Sequence, residues 1–275
     1  MRYTGLMQYA EPASMNRISQ ALPARYAFLR SKFDEQELAT WNKSVGGACD
    51  KLAEALADTR KLRSRFWCAA HMARAAVDSL LAPKERISLV NDATALALGV
   101  YAGVGDAALL ENVTERFKQH GLYDKSLEWH DRDLYLSRTA ARSARVAARI
   151  ENRVQGPVLF IPVSHSGFVP GMLAFLRHQR HRSDGIIYPA RYSIYKSEDC
   201  EPQISEPEIK YLAALSKDKT VIVYDNDAVS GTTMNGMMGH LNGRLAGSRA
   251  VLGYVNEDSR DPGAVLRQGR HWEVY

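Results

Sequence analysis

Acids and hydroxyls crowd together in VIVYDNDAVSGTTM, Val221 to Met234. Asp225, Asn226 and Asp227 end a run of four apolar residues. Val229, Ser230, Gly231, Thr232 and Thr233 follow where a helix should open. Gly231 permits a tight turn. The unpaired N–H groups of such a turn and of a helix start can wrap a phosphate, and three hydroxyls can add hydrogen bonds. A carboxylate just upstream would repel that phosphate unless it holds something else, such as sugar hydroxyls or a magnesium ion. The combination points to a sugar phosphate, its hydroxyls on the acids and its phosphate in the turn. The plainer alternative is a strand-to-helix connection with capping residues. Two acids beside a buried strand are costly without a ligand, which favours a site.

These residues need a strand to carry them, and the pattern supplies one. From Arg153 onward short apolar runs alternate with helical stretches. GPVLFIPV, TVIVYD and RAVLGYVN read as strands, the first two as buried on both faces. GFVPGMLAFLRHQ, EIKYLAAL and MNGMMGHLNGRL read as helices, the last weakened by its glycines. GIIYPARYSIYK reads as a strand at an edge or with a break at Pro189. Alternation of this kind predicts a parallel α/β sheet with right-handed crossovers. Ligands then bind beyond the carboxyl ends of the strands, where Asp225 and Asp227 stand.

The first half is different. Residues 1–32 read as an irregular arm, and the chain from Phe33 to about Ile150 is almost wholly helical in its apolar spacing. FDEQELATWNKSVGGACDKLAEALADT is expected as one helix. Pro83 is expected to close another, and Gly121 a third. A buried helix is expected near residues 86–102, then a turn at Gly103–Gly105 and a helix from Asp106. The expected division is residues 1–130 as a helical region and 131–275 as the α/β domain.

The 221–233 run resembles the phosphoribosyl-diphosphate signature of type I phosphoribosyltransferases. That signature has four apolar residues, two acids, a few mostly apolar residues, then Ser/Thr-Gly-x-Thr. Tyr224, Asn226 and Asp227 depart from it; Asn226 can bond a ribose hydroxyl but cannot act as a base. PVSHSGFVPGMLAFL, Pro162 to Leu176, is similar to the family's diphosphate loop. The resemblance implies that backbone amides of Ser164, His165, Ser166 and Gly167 face the diphosphate, with His165 a basic contact. RYSIYKSEDCEPQIS, Arg191 to Ser205, lies where the family keeps its mobile loop, so Arg191 and Lys196 are expected to neutralise diphosphate. An ordinary βα turn and solvated loop charges are the plainer alternatives for these two segments. The resemblance spans roughly residues 155–256. It implies a phosphoribosyltransferase-like, Rossmann-like parallel-sheet core with a large helical N-terminal region. It implies transfer of ribosyl 5-phosphate from 5-phosphoribosyl 1-diphosphate to a nitrogen acceptor such as a nucleobase, with Mg²⁺ as cofactor. Asp225, Asn226 and Asp227 are the expected catalytic residues, and Asp225 and Asp227 the expected metal ligands. A homodimer is also expected, and Tyr254 or Trp272 could line the acceptor pocket.

Two other functions compete. VIVYDNDAV also fits the hhhhDxDxV nucleophile motif of haloacid-dehalogenase-like phosphatases, with Asp225 attacking phosphorus and Asp227 as the acid. Those enzymes need a downstream lysine, and none follows Thr233. A phosphoribosyltransferase-like chain that binds its ligand but has lost catalysis, as a regulator, is the third.

The remaining features set bounds. The chain has 275 residues and a formal charge of +5. Cys49, Cys68 and Cys200 form no CxxC or metal set, and the first sixteen residues lack a leader's apolar core, so a reducing cytoplasm is expected. LVNDATALALGVYAGVGDAALL is too polar to cross a bilayer, so no membrane partner is expected. His71, His120 and His130 lie at no metal-ligand spacing. Arg138, Arg142, Arg145 and Arg149 share one helix face. A solvated stripe is the plain reading. The alternative is an anionic partner: nucleic acid, an acidic subunit or the substrate. No aromatics interleave, so stacked single-stranded nucleic acid is not favoured.

Overall fold

The computed structural model describes residues 43–58, 62–127, 136–164, 167–182, 184–192, 201–227, 232–257 and 273–274. The arm at 1–32, Cys200 and His130 lie outside them. Among the described residues the first half holds four helices: α1 (Val45–Ala57), α2 (Leu62–Val77), α3 (Pro83–Tyr101) and α4 (Ala107–Gln119). The expected helix across 33–59 does not run through. Lys43–Ser44 is a short strand, β1, paired antiparallel with β2 (Ser126–Leu127), and the Ser44 hydroxyl then accepts from the Gly47 amide to start α1. Pro83 opens α3 rather than closing α2. Proline at the first helical position forfeits no hydrogen bond, whereas α2 has already ended at Val77. Asp106 caps α4 through the Leu109 amide, and Gly121 follows that helix with φ 64°, as the sequence pattern implies.

The second half begins with α5 (Leu136–Arg153) and continues as β3 (Val158–Pro162), α6 (Phe168–His181), β4 (Ile186–Ile187), α7 (Glu206–Ser216), β5 (Thr220–Asp227), α8 (Thr232–Leu241), β6 (Ala250–Glu257) and β7 (Glu273–Val274). The sheet order is β4-β3-β5-β6-β7 and every pairing is parallel. This is the expected α/β architecture, a parallel sheet with a large helical N-terminal region. β4 is shorter than its apolar run suggests. Pro189 supplies no amide, and only Ala190 beyond it bridges to Val163.

Chain direction along the sheet reverses after β4. Right-handed crossovers then set α6 on one face and α7 and α8 on the other. α5 packs along α6 and over β6, completing the first face, while α8 lies on β5 and β6. α2 touches α6 and α3 touches α7, so the helical half meets both layers. Val221, Ile222, Val223 and Tyr224 of β5 are fully buried, at about 1.5–3 kcal/mol for each such side chain. One apolar core runs from Val45 on α1 to Val255 on β6. Among the described residues no helix is long and apolar enough to cross a membrane.

Candidate functional site

β3 and β5 are neighbours in the sheet, yet the chain leaves β3 toward β4 on the other side. That makes their carboxyl ends a topological switch point, where two connections part and leave a crevice. Described parts of the two segments singled out from sequence, 162–164 with 167 and 225–227, stand at this point. Pro162 pairs with Tyr224, and the Val163 amide donates to the Tyr224 carbonyl at 2.8 Å. Gly167 caps α6 and shows how closely the segments approach. A Cβ there would fall 2.7 Å from the carbonyl oxygens of both Tyr224 and Val163, and 2.9 Å from the Asp225 Cα. Any larger residue would push the loop off the strand end, so glycine is what lets the loop lie against Asp225.

Asp225 is 4% exposed and pairs in register with Val255. Asn226 and Asp227 continue β5 in their backbone, while their side chains lie outside the described residues. Thr232 and Thr233 form the first turn of α8, the former exposed and the latter half-buried. Val229, Ser230 and Gly231 lie outside the described residues, as do His165, Ser166 and Lys196.

Three expectations need correction. The Ser164 amide does not face a ligand; it donates to the Ala190 carbonyl at 2.6 Å, because the β3–β4 ladder extends one residue past Pro189. The Ser164 side chain is what remains at the crevice. It is 1% exposed, and its Oγ has no hydrogen-bond partner. Arg191 is also placed differently. It is buried, its Nη1 donates to the Asp78 carbonyl at 3.4 Å, and its Nε lies 3.9 Å from the Asp78 carboxylate. Its charge therefore meets the end of α2, where the exposed carbonyls and carboxylate favour a cation. Tyr254, considered for an acceptor pocket, is a core residue instead. It is 1% exposed between Tyr224 and Glu273, and burial raises its phenol pKa. Trp272 lies outside the described residues.

The sequence pattern missed a second polar cluster at the junction of the halves. Glu208 is 2% exposed and accepts from Arg86 Nη1 (3.0 Å), the Tyr188 hydroxyl (2.8 Å), the Ser205 amide (3.0 Å) and the Ser205 hydroxyl (2.8 Å). Arg86 also donates to the carbonyls of Gln203 and Val77, tying α3 to α7. Its one local sign is the capping box Ser205-x-x-Glu208. Burial and the facing Glu208 raise the Tyr188 phenol well above its ordinary range. Tyr192, also missed, lies against α8: a Cβ on Gly236 would come 2.6 Å from its hydroxyl. An open groove of about 400 Å³ lies elsewhere, between α3 and α4, lined by Lys84, Glu85, Ser88, Asp92, Asn112 and Arg116.

No family model matches the chain, and no curated protein matches it. Among solved structures it is similar to a hypothetical protein from Neisseria gonorrhoeae with bound ppGpp. The identity is 19% and the TM-score 0.36, over 46% of this chain and 70% of that one. It is also similar to a hypoxanthine phosphoribosyltransferase from Staphylococcus aureus, at 14% identity and TM-score 0.31, over 45% of this chain and 74% of that one.

Proposed function

We propose that the chain is a phosphoribosyltransferase that takes 5-phosphoribosyl 1-diphosphate and passes its ribosyl phosphate to a nitrogen of a nucleobase. The observation that supports this best is the contact of the 163–167 loop with the strand end at Asp225, in the crevice of a parallel sheet. That contact brings a candidate diphosphate loop beside a candidate ribose acid. In the reaction the bond from ribose C1 to the diphosphate oxygen breaks and a C1–N bond forms. Diphosphate leaves with the electron pair, and the acceptor nitrogen gives up its proton. Asp225 and Asn226 hold the ribose hydroxyls, and the 229–233 turn holds the 5′-phosphate. A buried carboxylate at a strand end and the unpartnered Ser164 hydroxyl suit a hydroxyl-rich, metal-bound anion. Asp225 and Asp227 would hold Mg²⁺, which supplies neutralisation of the leaving diphosphate.

Titration with the donor sugar and Mg²⁺ tests this. At about one hundred times Kd the ligand should stabilise the fold by about 2.7 kcal/mol. Asp225→Ala should remove that gain. A melting midpoint that ignores millimolar donor would end the proposal. Diphosphate release assayed across nucleobases then separates turnover from binding. Asn226 at the second acid position and the burial of Arg191 against Asp78 favour one second reading, a regulator that binds the donor without turnover. Saturable binding with no release for any base would select it.

A further inference from the structure

Residues 136–182 contain eight arginines, no lysine and one carboxylate, Glu151. Their formal charge is +7 in a chain of +5, so the other 228 residues carry −2. Charge this uneven points to a polyanion as partner. The structure collects it in one layer. α5 packs along α6, burying Val146, Ala147 and Ile150, and leaves Arg145, Arg149 and Arg153 exposed at steps of four. The surface continues onto the amino edge of the sheet, away from the crevice. There Arg182 donates to the Val154 carbonyl at 3.1 Å, and Arg249 to that of Gln155 at 3.3 Å. Glu151, half-buried, Asp184, exposed two residues after Arg182, and Asp218 beside Lys217 and Lys219 are the carboxylates nearby in sequence or ladder. Attraction to a helix C-terminus accounts for cations in a last turn, such as Arg153 and Arg180. It does not reach Arg145 in the middle of α5.

We propose that the outer face of α5, with the adjoining amino edge of the sheet, binds the phosphate backbone of double-stranded nucleic acid. Arginine's planar fork grips phosphate oxygens in pairs, and this layer uses arginine alone. α5 carries no aromatic side chain on which unpaired bases could stack, so the surface suits a duplex rather than a single strand. Among the described residues the exposed large hydrophobic is Leu80, just after α2, so the described part of this surface has no large apolar side chain to insert into a lipid surface. Arg149 and Arg153 make contacts within the protein as well, and backbone binding needs only their charge at the surface.

The test is fluorescence anisotropy of the full chain with labelled duplexes of about 20 base pairs, one DNA and one RNA, at about 50 and 200 mM salt. Binding should weaken at least tenfold over that range for one or both duplexes, and the tighter of the two identifies the source. Arg145→Glu with Arg149→Glu should cost tenfold or more and flatten the salt slope by about 2. Arg145→Gln with Arg149→Gln should show a smaller loss in the same direction, guarding against a folding defect. Lys84→Glu with Lys118→Glu, which changes net charge equally on the helical half, should stay within twofold. No duplex binding at the lower salt, or equal losses in the two reversed pairs, would overturn the proposal. So would stronger binding to a single strand, or displacement of the duplex by poly-glutamate at equal charge.

Discussion

Glu208 and Ser164 are buried alike and are served in opposite ways. Glu208, at the junction of the halves, accepts four hydrogen bonds, two of them from Ser205 and one from an arginine on another helix. Ser164, at the crevice, keeps its amide in the sheet and leaves its hydroxyl with no partner. Satisfied groups of the first kind hold a fold together. A buried polar group without a partner costs free energy, and chains keep such groups where something from outside completes them. The contrast marks the junction as structural and fits the ligand proposed for the crevice, and each half of it can be broken separately.

The largest effect belongs to the junction. Glu208→Ala strands the Arg86 guanidinium, which is itself largely buried, at a cost of about 3–5 kcal/mol. Urea denaturation would read this as a large fall in midpoint. Arg86→Met added to Glu208→Leu should recover most of the loss, because an apolar pair of similar volume carries no unpaired charge. A single variant within about 1 kcal/mol of the native chain would show that the cluster is ornamental.

A smaller effect comes from His71 on α2. Burial, with Arg74 adding repulsion, pushes its imidazole down from 6.5 to about 3. Between those values the unfolded chain takes a proton that the folded chain refuses. This stability is therefore complete above pH 6.5 and is lost as the pH falls toward 3, at up to about 1.4 kcal/mol per unit. His71→Gln should flatten the curve between pH 6.5 and 4.5 relative to the native chain. Parallel curves for the two would remove His71 from the account.

Much of this was legible in the residues, and for physical reasons. β3, β5 and β6 are apolar runs because both faces of the sheet are covered, and such runs stand out in any chain. Asp225 stands out by its place at a strand end and the 164–167 segment by its resemblance to a diphosphate loop, and Gly167 lies close against Asp225. What stayed hidden depends on partners far away in sequence. Arg86 and Glu208 are 122 positions apart, and Arg191 and Asp78 are 113 apart, so no local pattern announces either pair. The glycine-rich α8 was read as a weak helix; Gly236 is there to admit Tyr192 from a distant segment. The Ser164 amide, expected to face a ligand, instead pairs in the sheet, because a single bridge beyond Pro189 leaves no local sign.

The smallest predicted effect decides most about the crevice. Ser164→Ala removes a hydroxyl that has no partner in the fold, so stability should change by less than about 0.5 kcal/mol or rise slightly. If the hydroxyl completes its bonding on a phosphoryl or sugar oxygen, affinity for the donor with Mg²⁺ should fall about tenfold, near 1.4 kcal/mol. Isothermal titration and thermal melting on the same preparation measure both. Loss of affinity at constant stability is the signature of a group kept for a ligand. A fall of 2 kcal/mol or more in stability, about the size of a broken buried network, would place Ser164 with Glu208 instead and erase the contrast between the two regions.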